Sequence, residues 1–430
     1  MPSQLGLRPR FGSAGQGRYI ELAGASPDKG GNLTIPAAAL ARAGLDPDGD
    51  WVCALDDGRL VLVPDAPRKI YVEATTCCNL CCATCIRNAW HEPLGHMPLA
   101  RYQKLLDGLP TRRGEPITLA FAGFGEPLVH PDLLEMVRWA RAAGLRVELI
   151  TNGLLLTPEK IGALLGLGVA QVAISVDGAD DAGYAGVRGT ELEPVLANLA
   201  ALCAARRRAR AAVRLGLAFV AMVRNIASLP DLLRLAGDLD LDFVSISNVL
   251  PHTPEMAKEA LWGRTAWESN FVPAHWRPRL ALGRMDVNDL TRPALEAVWR
   301  DAPVIPPPAL DGGAWRNHCR FAHEGTLAVS WDGRVAPCLS LLHSHPEYVY
   351  GHWKQVQSCT FGNIDDSPLA SIWRQPDYRE FRRRMRAFDF PTCFVCGGCP
   401  STEGNAEDCY GNEFPVCSEC LWAQGIVLCP

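Results

Sequence analysis

From residue 69 onward, short apolar runs alternate with longer amphipathic ones. The runs KIYVEAT, ITLAFAG, RVELITNG, QVAISVDG, RLGLAFVAM and DFVSISNVL are rich in β-branched residues and mostly end near Gly, Asn or Asp, so they predict strands. Between them, segments such as DLLEMVRWARAAG and PDLLRLAGDL repeat apolar residues at the spacing of a half-buried helix. One helix start is explicit: Thr157 as N-cap, Pro158 in the first turn and Glu159 behind it. Six such βα units predict an α/β fold with a parallel sheet and right-handed crossovers. They are too few to close a full barrel, so residues 67–261 are expected to form an open, partial (β/α)6 barrel with its chemistry at the C-terminal strand ends.

The flanking segments read differently. Residues 1–17 are rich in Gly, Ser and Arg without a period and are expected to be a disordered tail. Residues 18–66 carry RYIEL, NLTIP, a short helix AAALARAGL, then WVCAL and RLVLVP across the turn Asp56-Asp57-Gly58. This order resembles the AbrB/MazE-type swapped-hairpin module, which implies dimerisation and, often, DNA binding. Here Arg42 and Arg59 stand against Asp46, Asp48, Asp50, Asp56 and Asp57. An acidic surface is a poor phosphate partner, so a homodimer through 18–66, or protein docking, is expected rather than nucleic-acid binding. Residues 262–318 hold scattered Trp and Pro and predict a linker with one helix, LTRPALEAVW. Residues 319–430 are Cys-rich, with little regular structure expected beyond what metal clusters hold together.

Composition narrows the function. The chain has 430 residues, a net charge of −5 and no basic excess that would suit nucleic acid or an anionic membrane. MPSQLGLRPRF lacks an apolar signal core and no long apolar stretch occurs, so a cytoplasmic location without membrane attachment is expected. Seventeen cysteines in such a chain point to metal binding or catalysis. Five lie in 77–85 and ten lie after 318, which leaves Cys53 and Cys203 as expected core residues.

Cys78, Cys82 and Cys85 are spaced C-x3-C-x2-C directly after the first barrel strand. Soft thiolates at short spacing suit an iron–sulfur cluster, and three of them leave one iron of a four-iron cluster open. A zinc site, with Cys77 or Cys81 as added donors, is the alternative, although adjacent cysteines do not easily converge on one ion. The stretch TTCCNLCCATC resembles the signature loop of the radical SAM superfamily. That resemblance implies a [4Fe-4S] cluster that binds S-adenosylmethionine (SAM) through its open iron. The next strand ends supply the rest. Gly123-Phe124-Gly125-Glu126-Pro127 resembles the family's "GGEP" loop, which receives the SAM amino group, with Phe124 as a departure. By the same resemblance Asn152 lies at the mouth, Ser175 and Arg188 would bind the SAM carboxylate, and Asp177 would line the site. The plain reading of Asn152-Gly153 and Asp177-Gly178 is turn chemistry. Asn225 and Asn248 are lesser candidates.

The C-terminal set is Cys319, Cys338, Cys393, Cys396, Cys399, Cys409, Cys417, Cys420 and Cys429, with Cys359 left as a spare. It resembles the SPASM domain, which implies one or two auxiliary [4Fe-4S] clusters. Cys399 in Gly397-Gly398-Cys399-Pro400 most resembles the ligand that crosses to the first of them. A zinc ribbon from Cys393/Cys396 and Cys417/Cys420 is the alternative, and it leaves the other cysteines unused. The histidines form no metal-spaced pair and are expected at the surface or in turns; the runs Arg206–Arg208 and Arg382–Arg384 are expected to be solvated helix faces.

The segment IYVEATTCCNLCCATCIRNAWHEPLGHM and the tail CGGCPSTEGNAEDCYGNEFPVCSECLWAQGIVLCP are similar to tungsten-cofactor oxidoreductase maturases of the radical SAM/SPASM type. This implies reductive SAM cleavage to a 5′-deoxyadenosyl radical, a tungsten–pterin client oxidoreductase and a reductant such as ferredoxin or flavodoxin. Modification of a peptide substrate is the nearest rival. Sulfatase maturation fits less well, because Leu339 follows Cys338 where those enzymes place Asp. A non-catalytic zinc-binding regulator with an AbrB-like head is a third reading.

Overall fold

Asp56 stands opposite Arg59 in a hairpin whose two strands, β1 (Trp51–Asp56) and β2 (Arg59–Pro64), pair antiparallel from Trp51↔Pro64 inward. This is the register a two-residue Asp-Gly connection imposes. The computed structural model describes residues 34–42, 51–56, 59–110, 116–263, 280–301, 318–391 and 403–429. The predicted strand RYIEL lies outside them, and the predicted helix forms over Ala37–Arg42. These elements belong to one compact unit, Met1–Ala66 with Thr111–Glu115; the rest of the chain, Pro67–Pro110 with Pro116–Pro430, forms a second.

All six predicted strands of the second unit form. They are β3 (Lys69–Val72), β4 (Thr118–Phe121), β5 (Arg146–Thr151), β6 (Gln171–Ser175), β7 (Arg214–Ala221) and β8 (Phe243–Asn248), each parallel to the next. β4, β6 and β8 are buried almost without alternation, as in a parallel sheet covered on both faces, whereas β5 alternates half-buried and buried positions. The helix Leu133–Ala142 turns Leu133, Met136, Val137 and Ala140 onto this sheet. The helix Pro158–Gly166 begins as expected, with the Thr157 hydroxyl accepting from the Lys160 N–H at 3.3 Å.

The sheet extends beyond the predicted six strands. A short strand, β9 (Leu280–Leu282), comes from the expected linker and pairs with β8. On the opposite edge, β10 (Thr326–Val329) pairs parallel with β3 and carries β11 (Val335–Ala336) antiparallel beside it. The nine-stranded order is β11-β10-β3-β4-β5-β6-β7-β8-β9. A strand of three residues is too short to show a period, and β10 meets β3 only through a nonlocal contact, so neither pairing left a local signal.

The Cys-rich region is also more regular than expected. It holds the hairpin of β12 (His345–Val349) and β13 (His352–Val356) and the helices Leu369–Arg374 and Pro376–Ala387. Leu369, Ile372, Trp373, Tyr378 and Met385 join the core that contains Ile70 and Leu327. The arginine runs are only partly solvated. Arg382 is buried with its guanidinium 3.8 Å from the centre of the Trp373 ring, and Arg206 pairs with Asp242 at 2.5 Å. Cys203 is a core residue, as expected. No helix among the described residues is long and apolar enough to cross a membrane.

Candidate functional site

The loop after β3 is held by its own backbone and by Arg87. The Thr75 hydroxyl donates to the Gly95 carbonyl at 2.9 Å, and Arg87 donates to the Thr76 and Leu80 carbonyls at 3.1 and 2.7 Å. The Asn88 amide donates to the Cys82 carbonyl at 2.9 Å. These ties gather Cys78, Cys82 and Cys85 into one neighbourhood at the sheet's C-terminal edge. Cys82 is buried, Cys78 and Cys85 are half-buried, and Cys81 is exposed. Burial pushes the Cys78 and Cys85 thiols up, Arg87 opposes it, and the neighbouring sulfurs push the same way as burial. Among the described residues no three His, Cys, Asp or Glu side chains stand ready to hold a single metal ion. The donor set is instead three soft thiols drawn together around a loop, which fits a cluster whose several irons keep their thiolates further apart than one ion does.

The glycines of the 123–127 loop serve close packing within the chain. A Cβ on Gly125 would lie 2.1 Å from the Thr75 carbonyl oxygen, and one on Gly123 would lie 2.7 Å from the Glu73 side chain. The Glu126 N–H then donates to the Cys77 carbonyl at 2.9 Å, and the Phe124 carbonyl lies 4.0 Å from the Cys85 sulfur. Glu126 itself is buried. Its carboxylate accepts from the Thr151 hydroxyl and the Asn152 N–H, both at 2.7 Å, and from the Leu128 N–H at 3.0 Å. Burial pushes its carboxyl up, while these donors favour the charged form. The expected partner of the SAM ammonium thus spends most of its acceptor capacity stitching the ends of β4 and β5 together. Pro127 opens the short helical turn Pro127–Val129 that follows.

The remaining predicted residues are partners of this frame. Asn152 donates to the Asn79 side chain in the cysteine loop at 2.8 Å. Asp177 is fully buried, accepts from Arg188 Nε at 2.6 Å and from the Val220 N–H at 2.8 Å, and its carbonyl accepts from Asn225. Arg188 also points Nη1 at the Cys82 sulfur, 3.8 Å away. Burial works against the Arg188 charge, but Asp177 and then Cys82 hold its pKa well above the ordinary value. Ser175 is half-buried at the end of β6. Asn225 serves its own loop, accepting from the Met222 N–H at 2.8 Å. Asn248 anchors the C-terminal tail by donating to the Ile426 carbonyl at 2.9 Å.

A second sulfur group forms in the C-terminal region. Cys319, Cys338, Cys417 and Cys420 line one cavity of about 40 Å³, together with Glu347 and Lys354. Burial pushes the Cys319 thiol up to about 12, and Cys338 and Cys417 rise well above their ordinary value through burial and then their neighbouring sulfurs. Four mutually close, half-buried cysteines are soft donors of the kind that suit an iron–sulfur cluster. Cys417 and Cys420 thus stand beside Cys319 and Cys338 in one cavity. Cys393, Cys396 and Cys399 lie outside the described residues. Cys409 is exposed, and Cys429, which accepts from the Trp422 indole N–H at 3.3 Å, has its thiol pushed up by burial with Cys420 adding to it.

The expectation of surface histidines fails at His130, His252, His343 and His345, which are buried. His343 matters most, because it reaches Glu73, the first residue past β3, at 2.8 Å. The only local signal was a glutamate inside the apolar run KIYVEAT.

Residues 72–218 match the radical SAM superfamily, and residues 319–400 match an iron–sulfur cluster-binding domain, SPASM. The tungsten-containing aldehyde ferredoxin oxidoreductase cofactor-modifying protein of Pyrococcus furiosus is 31% identical over 84% of this chain and 97% of its own. The PqqA peptide cyclase of Gluconobacter oxydans is 27% identical over 83% of this chain and 92% of its own. Among solved structures, Streptococcus suis SuiB bound to S-adenosylmethionine superposes with a TM-score of 0.52 at 15% identity, over 81% of this chain and 74% of that one, which shows a shared fold. The chain is therefore an enzyme whose cofactors are [4Fe-4S] clusters and SAM. It belongs to the radical SAM superfamily, in the SPASM-bearing family of the tungsten-containing aldehyde ferredoxin oxidoreductase cofactor-modifying protein.

Proposed function

We propose that this enzyme cleaves SAM reductively at a cluster held by Cys78, Cys82 and Cys85, in the maturation of a tungsten–pterin oxidoreductase. Cys78, Cys82 and Cys85 would hold a cluster that, once reduced, would supply one electron for cleavage of SAM to methionine and a 5′-deoxyadenosyl radical, the oxidant for hydrogen abstraction from the client or its cofactor. The chain's own part is binding, orientation and exclusion of water. Three thiolates leave one corner for SAM. Gly123 and Gly125 let the 123–127 loop lie against the cysteine loop, and Glu126 fixes that loop to Asn152. The buried Asp177–Arg188 pair places a guanidinium beside Cys82, and Ser175 and Arg188 are assigned to the SAM carboxylate. Cys319, Cys338, Cys417 and Cys420 hold an auxiliary cluster; Cys393, Cys396, Cys399, Cys409 and Cys429 are left for a second.

The observation that carries this reading is the convergence of Cys78, Cys82 and Cys85 beneath Arg188 at the C-terminal strand ends. The client is supported by the relative that matches nearly end to end. Peptide modification is the second reading, supported by the peptide cyclase relative. A ferredoxin or flavodoxin reductant, a cytoplasmic location and a dimer through 18–66 complete the proposal. Anaerobic protein given dithionite and SAM is expected to form 5′-deoxyadenosine, and Cys82→Ala to form none. Turnover by that variant would refute the ligand set. A co-purified tungsten oxidoreductase would favour the first client, and a co-purified short peptide the second.

A further inference from the structure

His343 is buried, and both of its ring nitrogens face carboxylates. Nε2 lies 2.8 Å from Glu73 Oε2 and Nδ1 lies 2.7 Å from Glu92 Oε2. A neutral imidazole has one donor and one acceptor, so it would turn a lone pair toward one of these oxygens; only the imidazolium satisfies both. The other charged groups facing the cluster are Arg334, with Nη2 2.7 Å from Glu92 and 3.5 Å from His343 Nδ1, and Asp332, 2.9 Å from Arg334. Trp90 and Phe124 cover the ring, with centroids 4.1 and 5.9 Å away.

The carboxylate that His343 holds also holds the SAM loop. Glu73 Oε1 accepts from the Phe124 N–H at 3.1 Å, and the Phe124 carbonyl lies beside Cys85. A short chain of contacts thus runs from the auxiliary region through His343 and Glu73 to the 123–127 loop. We propose that His343 is a positioning residue for SAM binding: its imidazolium, clamped between Glu73 and Glu92, keeps the 123–127 loop in its binding shape, and loss of its proton releases the loop. A fixed charge would serve cohesion equally well, whereas a titrating ring makes SAM affinity depend on pH. Glu73 and Glu92 hold the proton on the ring against the opposing effect of burial. The inference rests on the reading that SAM binds beside this loop.

The test uses the full chain with reconstituted clusters. SAM binding is followed by its effect on the EPR signal of the reduced cluster, from about pH 6.5, where an ordinary histidine titrates, upward. In the wild type, affinity should fall on the alkaline side with the slope of one proton. Glu92→Gln should shift that limb to lower pH by about one unit, because one stabilising charge is lost. His343→Gln should remove the limb and weaken SAM about tenfold at neutral pH, as expected for a lost charge-assisted contact. Ionisation of SAM itself is common to all three proteins. A limb that stays in place in Glu92→Gln would overturn the inference, even if His343→Gln fails to fold. Wild-type protein with intact clusters that binds no SAM at any pH would instead overturn the underlying reading.

Discussion

Gly125 shows what one residue decides in this site. A methyl group there would press on backbone, 2.1 Å from the Thr75 carbonyl oxygen and 2.8 Å from that of Cys77, so no side chain can turn away to relieve it. Gly125→Ala is therefore expected to displace the cysteine loop and cost about 1–3 kcal/mol, the usual range for overpacking. Iron per chain after reconstitution and the thermal midpoint should both fall; unchanged iron would show that the loop tolerates the shift. At this scale the cysteine motif was legible, because its spacing is local and thiolates have few other uses in such a chain. The roles of its neighbours were less so. Glu126 also ties Thr151 and Asn152, and Arg188 also pairs with Asp177, roles that the motifs alone did not show. His343 was missed because its partner Glu73 lies 270 positions away.

Elements add a pH dependence and a division of the sulfurs. The clamp joins the segment after Cys338 to the end of β3. His343 has its pKa raised, so the stability it contributes is fully present below its ordinary value of 6.5 and is lost as pH rises through the higher folded value. Glu92 is opposed by burial but lowered by His343 and Arg334, so its contribution is present above 4.5 and is lost as pH falls through the lower folded value. Thermal scans should show wild type losing its advantage over His343→Gln as pH rises above neutrality; a constant difference would deny the linkage. The sulfur group of Cys319, Cys338, Cys417 and Cys420 predicts that Cys338→Ala loses about four iron per chain while the SAM-binding cluster keeps its EPR response. Loss of that response as well would place Cys338 elsewhere. Elements with a clear period, such as Leu133–Ala142 and β5, were legible in the sequence. β9 and β10 were not, since their strand character comes from the edges they complete.

Across the whole second unit, the barrel sheet and the auxiliary region share one core and one sheet. β10 lies directly beside β3, the strand that leads into the cysteine loop, and the C-terminal tail donates the Leu428 N–H to Ser247 on β8, next to the far edge strand β9. The auxiliary region therefore frames the site from both sides of the sheet, which the order of motifs along the chain alone did not reveal. The central claim is that Cys78, Cys82 and Cys85 present a cluster with one corner open to SAM. The most direct measurement is the EPR spectrum of the dithionite-reduced, reconstituted chain, recorded with and without SAM. A [4Fe-4S]⁺ signal that SAM reshapes in the wild type, and that SAM leaves unchanged in Cys82→Ala, is the predicted result. A wild-type signal indifferent to SAM, or a Cys82→Ala variant that responds as the wild type does, would contradict the account.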